Sequence, residues 1–228
     1  MLPLRDNAPT RSFPLVTLTL IAANFAVWFW ELQAPTARID RYSYYPCSVV
    51  GPCIGVARAH LSWWESAFSS VFMHASWAHI LGNMLFLWIF GNNVEDALGR
   101  GRFLLFYLAS GLVATAGQTY VTLHYAGIAA ASVPGLGASG AIAGVLGAYF
   151  VLLPEARILT LIGFFVVSVP AIVFLGFWFL FELWEGGFSM THPSAGGGVA
   201  FFAHIAGFVF GLVTVRLLGA RAPLSPAR

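Results

Sequence analysis

Residues 103–154 read FLLFYLASGLVATAGQTYVTLHYAGIAAASVPGLGASGAIAGVLGAYFVLLP, with no Asp, Glu, Lys or Arg. A helix needs about 20 apolar residues to cross the hydrocarbon core of a bilayer, so this stretch holds two crossings and the turn between them. Working outward, Leu15–Trp30, a segment within Phe68–Gly91, Ile158–Phe181 and Val199–Val215 are further uncharged runs. The expectation is an all-α, polytopic membrane protein with six transmembrane helices: a short N-terminal segment (1–14), a six-helix membrane domain (15–218) and a C-terminal tail (219–228). Composition agrees. Of 228 residues, 59% are hydrophobic and 9% are charged, against about 25% charge in an ordinary soluble domain. That excludes a soluble globular domain, a disordered chain and a collagen-like fibre, and the spread of apolar runs excludes a single-anchor protein.

Orientation rests on arginine, since lysine is absent. Six spans place Arg5, Arg11, Arg100, Arg102, Arg157, Arg216, Arg221 and Arg228 on one side, and Arg38, Arg41 and Arg58 on the other. The arginine-rich side is predicted to be cytoplasmic, with both termini facing in. The net charge of +2 follows this topology and implies no nucleic-acid partner. The first apolar run is followed by Trp28, Phe29, Trp30 and Glu31 instead of a small-residue cleavage site, so it reads as a retained helix. The longest outer loop, Gln33 to about Ser66, holds Cys47 and Cys53, which are either a disulfide or two free thiols; they make a poor zinc signal. Trp63 and Trp64 sit where this loop re-enters the membrane. Gly196–Gly198 is the densest glycine cluster, in the last outer loop.

Intramembrane polar groups are costly and mark function. His74 and His79 are assigned to the second span and His204 to the sixth; His60, His124 and His192 fall in outer loops. His79 and Asn83, four apart, share a helix face. His74, five residues before His79, is turned away from that stripe and is assigned to holding loop backbone. The fourth span opens Gly137-Ala138-Ser139-Gly140, and Gly137, Gly140, Gly144 and Gly147 form a stripe that admits a close neighbour. Ser139 sits at a helix start, beside free N–H donors. In the sixth span His204, Gly207 and Gly211 share a face and lie at the depth of Ser139. Together these residues are a nucleophile (Ser139), a base (His204) and oxyanion donors (His79, Asn83 and the Ser139 backbone amide). Glu182 and Glu185 end the fifth span without a spacing that marks a third partner, so a serine–histidine dyad is the simpler reading.

These motifs resemble the rhomboid family of intramembrane serine proteases, of the six-helix bacterial type, over roughly Leu15–Leu218. His74-x4-His79-x3-Asn83 resembles the second-helix signature, Gly137-Ala138-Ser139-Gly140 the nucleophile motif, Ala203-His204-x2-Gly207-x3-Gly211 the sixth-helix motif, and Gly91-Asn92-Asn93-Val94-Glu95 the inner end of helix two. The resemblance implies a six-helix rhomboid bundle in the cell inner (plasma) membrane. It implies catalytic Ser139 and His204, an oxyanion site of His79, Asn83 and Ser139, and supporting positions at His74, Gly137, Gly140 and Gly207, the last admitting helix six against helix four. It implies no metal and no cofactor. The partners are membrane lipids and single-pass transmembrane substrates, with a small residue before the cut and helix-weakening residues after it. The first loop would lie partly in the outer leaflet. Helix five and the loop around Phe188–Gly198 would form a gate and cap; Pro170, placed mid-helix, suits a bent movable span or a fixed kink equally. Two positions depart from the family pattern. Ala143 stands where some members carry an aromatic ring stacked on the histidine, leaving the orientation of His204 unassigned, and Trp63-Trp64-Glu65 stands where many carry a Trp-Arg pair. The alternatives are a catalytically inactive rhomboid-like protein that binds or escorts client transmembrane proteins, and a small histidine-based transporter, against which stand the lack of an inverted repeat and of paired intramembrane carboxylates.

Overall fold

The computed structural model describes residues 1–56, 61–191 and 200–224; Arg58, His60, His192, the Gly196–Gly198 cluster and Arg228, all assigned to loops or tails above, lie outside the described residues. Its helices are α1 (Leu15–Glu31), α2 (Thr36–Tyr42), α3 (Trp63–Ser69), α4 (Trp77–Leu98), α5 (Arg100–Val121), α6 (Gly127–Ala131), α7 (Ser139–Leu152), α8 (Ala171–Thr191) and α9 (Phe201–Thr214). A π-helical turn, Thr122–Ala126, joins α5 to α6. Among the described residues, two helical stretches, Arg100–Ala131 and Ala171–Met190, are long and apolar enough to cross a membrane by length and composition; α1, α7 and α9 are apolar but shorter.

The chain is mostly helical, but the all-α expectation needs correction. Strands β1 (Leu2–Asp6), β2 (Arg157–Ile162) and β3 (Phe165–Pro170) form an antiparallel sheet in the order β1-β2-β3. The β2–β3 hairpin pairs Ile158 with Val169 and Ile162 with Phe165, leaving the two-residue loop Gly163-Phe164. Gly163 has φ +60°, the positive φ that a tight hairpin needs at its first loop position and that glycine supplies without a Cβ clash. The run Ile158–Phe181 therefore divides into a β-branched hairpin and a helix that starts at Ala171. Pro170 closes β3 and does not lie within the helix. Likewise α4 starts at Trp77, where the Ser76 hydroxyl accepts the His79 N–H (3.1 Å), so His74 belongs to the segment before the helix.

Acidic side chains fasten the end of the bundle that carries the N-terminus. Glu95 of α4 accepts the Val16 N–H (2.9 Å) and the Thr17 N–H and hydroxyl (both 2.7 Å), placing a carboxylate on the free amides at the α1 N-terminus, where the helix dipole favours it. Asp96 accepts from the backbone amides of Arg11 and Ser12 and ion-pairs with the Arg11 guanidinium (3.2 Å). Asp6 accepts from the Tyr149 hydroxyl (2.6 Å) and from Asn93 Nδ2 (2.8 Å). The short polar N-terminus is thus strapped across α4 and α7. At the other end Cys47 and Cys53 form a disulfide, Cα–Cα 5.4 Å, beside buried Tyr45 and Ala131.

Burial holds the Asp6 carboxyl above the ordinary carboxylate range, against the pull of its hydrogen bond from Tyr149. A carboxyl with a raised folded pKa binds more protons when folded. Its contribution favours the folded state most below the ordinary carboxylate range and is lost as pH rises through the raised value. Asp6→Asn keeps an acceptor without the charge. The thermal midpoint of the variant minus that of wild type is expected to grow as pH rises through and above the ordinary carboxylate range, because only the wild type then carries a buried charge. A constant difference in a detergent melting series would reject the assignment.

Candidate active site

Helix α7 is the centre of the bundle, and every residue from Gly140 to Tyr149 is buried. It can be central because its glycines let backbone meet backbone. A Cβ on Gly147 would collide with the Phe208 carbonyl of α9, one on Gly207 with the Gly140 carbonyl, and one on Gly211 with the Gly144 carbonyl. On the opposite flank a Cβ on Gly140 would sit 2.5 Å from Ala114 Cβ of α5. This small-residue contact sets α9 against α7 with His204 level with the first residue of α7, Ser139.

The two side chains meet: Ser139 Oγ lies 2.8 Å from His204 Nε2. On its other edge His204 Nδ1 lies 2.8 Å from Glu182 Oε2 of α8, with both side chains largely buried (13% and 8% exposed). A carboxylate only accepts, so Nδ1 carries the ring proton and Nε2 presents its lone pair to the serine hydroxyl. The Trp178 ring lies 6.0 Å from the His204 ring, tilted by 37°. The geometry adds a third contact to the expected pair: Glu182, read above as unmarked, meets the His204 ring edge opposite Ser139. It also fills the gap left by Ala143, since His204 is held by Glu182 and Trp178, one helical turn apart on α8.

Opposite them, Gly137 has φ +125°, and a Cβ there would fall 2.8 Å from His79 Nε2 and Cε1; glycine lets the histidine ring lie against the backbone that leads into Ser139. The Ala75 N–H points at His79 Nδ1 (3.4 Å), which leaves Nε2 to carry the proton on the side of Gly137. Asn83 is buried, and its Nδ2 donates to His74 Nε2 (3.0 Å). The His74 and His79 rings meet edge to face at 5.0 Å. His74 is therefore not turned away from the His79–Asn83 stripe. It precedes the helix, folds back over its first turn, and its ring binds Asn83 while its backbone N–H is held by Glu31 (3.1 Å). A cavity of about 660 Å³ opens between these groups, lined by His79, Asn83, Ser139, Ala143, Glu182 and His204 among others.

A serine hydroxyl, an imidazole, a carboxylate and two side-chain donors thus face one cavity whose remaining wall is largely apolar. Among the described residues no group of three or more His, Cys, Asp or Glu side chains is arranged to hold a metal ion. Trp63 and Trp64, at the start of α3, are exposed away from this cavity, and α3 is closed by the Glu65 carboxylate accepting the Ser62 N–H (3.0 Å). Helix α8 runs through Phe188 to Thr191, so the first part of the expected gate loop is helical; the rest lies outside the described residues.

A family model described as Rhomboid domain matches residues 60–221. The chain is 34% identical over 142 residues to "Putative rhomboid protease YdcA" of Bacillus subtilis (strain 168), covering 61% of this chain and 62% of that protein. It is 35% identical over 155 residues to "Rhomboid protein 1, mitochondrial" of Saccharomyces cerevisiae (65% and 40%). To "Rhomboid protease GluP" of Bacillus subtilis it is 33% identical over 159 residues (69% and 26%). The chain spans less than two thirds of the length of each of these relatives.

Proposed function

The chain belongs to the rhomboid family, and from that premise we propose that it is an intramembrane serine endopeptidase, cleaving peptide bonds in or near the transmembrane segments of membrane-protein substrates. The observation that carries this reading is the 2.8 Å contact between Ser139 Oγ and His204 Nε2 at the wall of a cavity that His79, Asn83 and Glu182 also line. His204 takes the proton of Ser139 as Oγ attacks the scissile carbonyl, and returns it to the departing amine. Water then enters the cavity and is deprotonated by His204. The hydroxide displaces the acyl group, and the Ser139 hydroxyl is regenerated. The Ser139 backbone N–H, His79 Nε2–H and the Asn83 amide stabilise the oxyanion, each strong donor contributing about 3–4 kcal/mol. His74 holds Asn83 in place for that task.

The proposed setting is six spans in the inner (plasma) membrane, with both termini cytoplasmic, within a membrane domain of residues 15–218. Helix α8 supports it: Ile172, Val173, Phe177, Leu180, Phe181 and Trp184 are exposed while Glu182 is buried. An apolar outside with an acid turned inward is the pattern of a helix against lipid. The favoured substrate is a single-pass helix weakened near the cut, because a helical carbonyl must leave its hydrogen bond before an attacking oxygen can reach it. The test is a serine-directed fluorophosphonate on protein reconstituted in liposomes with a model single-span substrate. Mass spectrometry is expected to place the adduct on Ser139, and cleavage is expected to fall in step with labelling. Full labelling without loss of cleavage, or labelling elsewhere only, would overturn the reading.

A further inference from the structure

The contact between α8 and His204 extends the site beyond the nucleophile, the base and the oxyanion donors. Glu182 reaches His204 from a different helix, 22 residues away in sequence, and meets the ring edge opposite the serine. Its side chain is 8% exposed. Trp178 stands one turn earlier on α8, so both residues face the same way and hold the imidazole by one edge and near one face. At the position one turn beyond Ser139, Ala143 offers the ring no aromatic surface.

We propose that Glu182 is a positioning residue for the reaction: its carboxylate fixes His204 in the Nδ1–H tautomer, with Nε2 aimed at Ser139 Oγ, and balances the imidazolium that forms when the serine proton moves. This rests on the protease reading above. First, a neutral imidazole has two tautomers and two flipped orientations, and only one combination puts a lone pair on the serine; a carboxylate at Nδ1 selects it. Second, proton transfer turns a neutral ring into a cation inside an apolar bundle. A carboxylate 2.8 Å away is then a counter-ion already in place, with no reorganisation needed during the reaction. Third, the carboxylate is on α8 and the base on α9, so the pairing makes activity depend on α8 lying against the site. A rival account is a purely structural tie between α8 and α9. It predicts loss of stability upon substitution, with no selective effect on turnover.

The two accounts part in one experiment on the full chain in liposomes. Glu182→Gln keeps the size and an acceptor oxygen but removes the charge. It is expected to lower kcat by about 100-fold or more with KM within about twofold of wild type, to slow fluorophosphonate labelling in parallel, and to leave the detergent thermal midpoint within a few °C. Glu182→Asp is expected to recover part of the lost kcat. In histidine-labelled wild-type protein a downfield Nδ1–H proton resonance, absent in His204→Ala, is expected to move upfield in Glu182→Gln. Wild-type kcat together with an unmoved resonance in Glu182→Gln would overturn the proposal, as would a fall in thermal midpoint that accounts for the whole loss of activity. Ser139→Ala in the same assay separates the failures: if it cleaves like wild type the protease reading falls, and the resonance still decides the role of Glu182.

Discussion

Ser139→Ala is expected to cleave a single-span substrate in liposomes at least about four orders of magnitude more slowly than wild type. The substitution removes one oxygen at the first residue of α7 and disturbs no packing glycine, so the thermal midpoint in detergent should hold within a few °C. His204→Ala is expected to lose a similar factor, because a serine without its base is as poor a nucleophile as no serine at all. The double variant should be no worse than either single one. Groups that act as a unit give strongly non-additive losses, and that equality distinguishes a coupled pair from two residues that each happen to support the fold. The readout is the initial rate of product formation, resolved by mass spectrometry to one cut site. Cleavage by Ser139→Ala at a tenth of the wild-type rate or more would remove the serine from the mechanism.

The residues of this site were legible because each is an exception to its surroundings: a histidine or asparagine in an uncharged run costs too much to be idle, and glycines spaced by three and four identify the helix faces that touch. Two errors share one physical cause, which is that an uncharged run does not say where a helix begins. Ile158–Phe181 has the length of a span, yet Val166, Val167 and Val169 are β-branched and Gly163 supplies a turn, so the first part pairs as a hairpin and α8 starts at Ala171. That displacement hid Glu182. Counted from Ile158 it falls past the end of a span; counted from Ala171 it lies well inside one, where a buried acid calls for a partner. The same ambiguity places His74 inside the span, although α4 begins only after its Ser76 cap. Neither the cap nor the hairpin changes the apolar count; both are visible in turn and β-branched signals that a span count ignores.

Gly211→Ala is expected to destabilise the protein by about 1–3 kcal/mol, although an alanine in a helix interior is ordinarily favoured over glycine by about 1 kcal/mol. The sign is decided by what the added methyl meets. At Gly211 it meets the backbone carbonyl of Gly144, with Gly144 C only 2.7 Å away, and backbone cannot swing aside as the end of a side chain can. Gly101, on α5, has nothing within 4 Å of the same methyl, so Gly101→Ala is the matched control and is expected to raise the thermal midpoint slightly. The consequence for activity is larger than that for stability. His204, Gly207 and Gly211 lie on one face of α9, and Gly211 is two turns, about 10 Å, along the helix from the base. Relieving the clash pushes α9 off α7 and carries His204 away from Ser139. A displacement on the order of 1 Å at a reacting pair costs about 100-fold in rate. Gly211→Ala is therefore expected to lose about two orders of magnitude in kcat while remaining folded at room temperature, and Gly207→Ala, whose methyl meets the Gly140 carbonyl closer to the base, to lose at least as much. Thermal midpoints and cleavage rates measured on all three alanine variants decide the matter. If the two α9 substitutions behave like Gly101→Ala, the close approach of α7 and α9 is not what brings the hydroxyl to the imidazole.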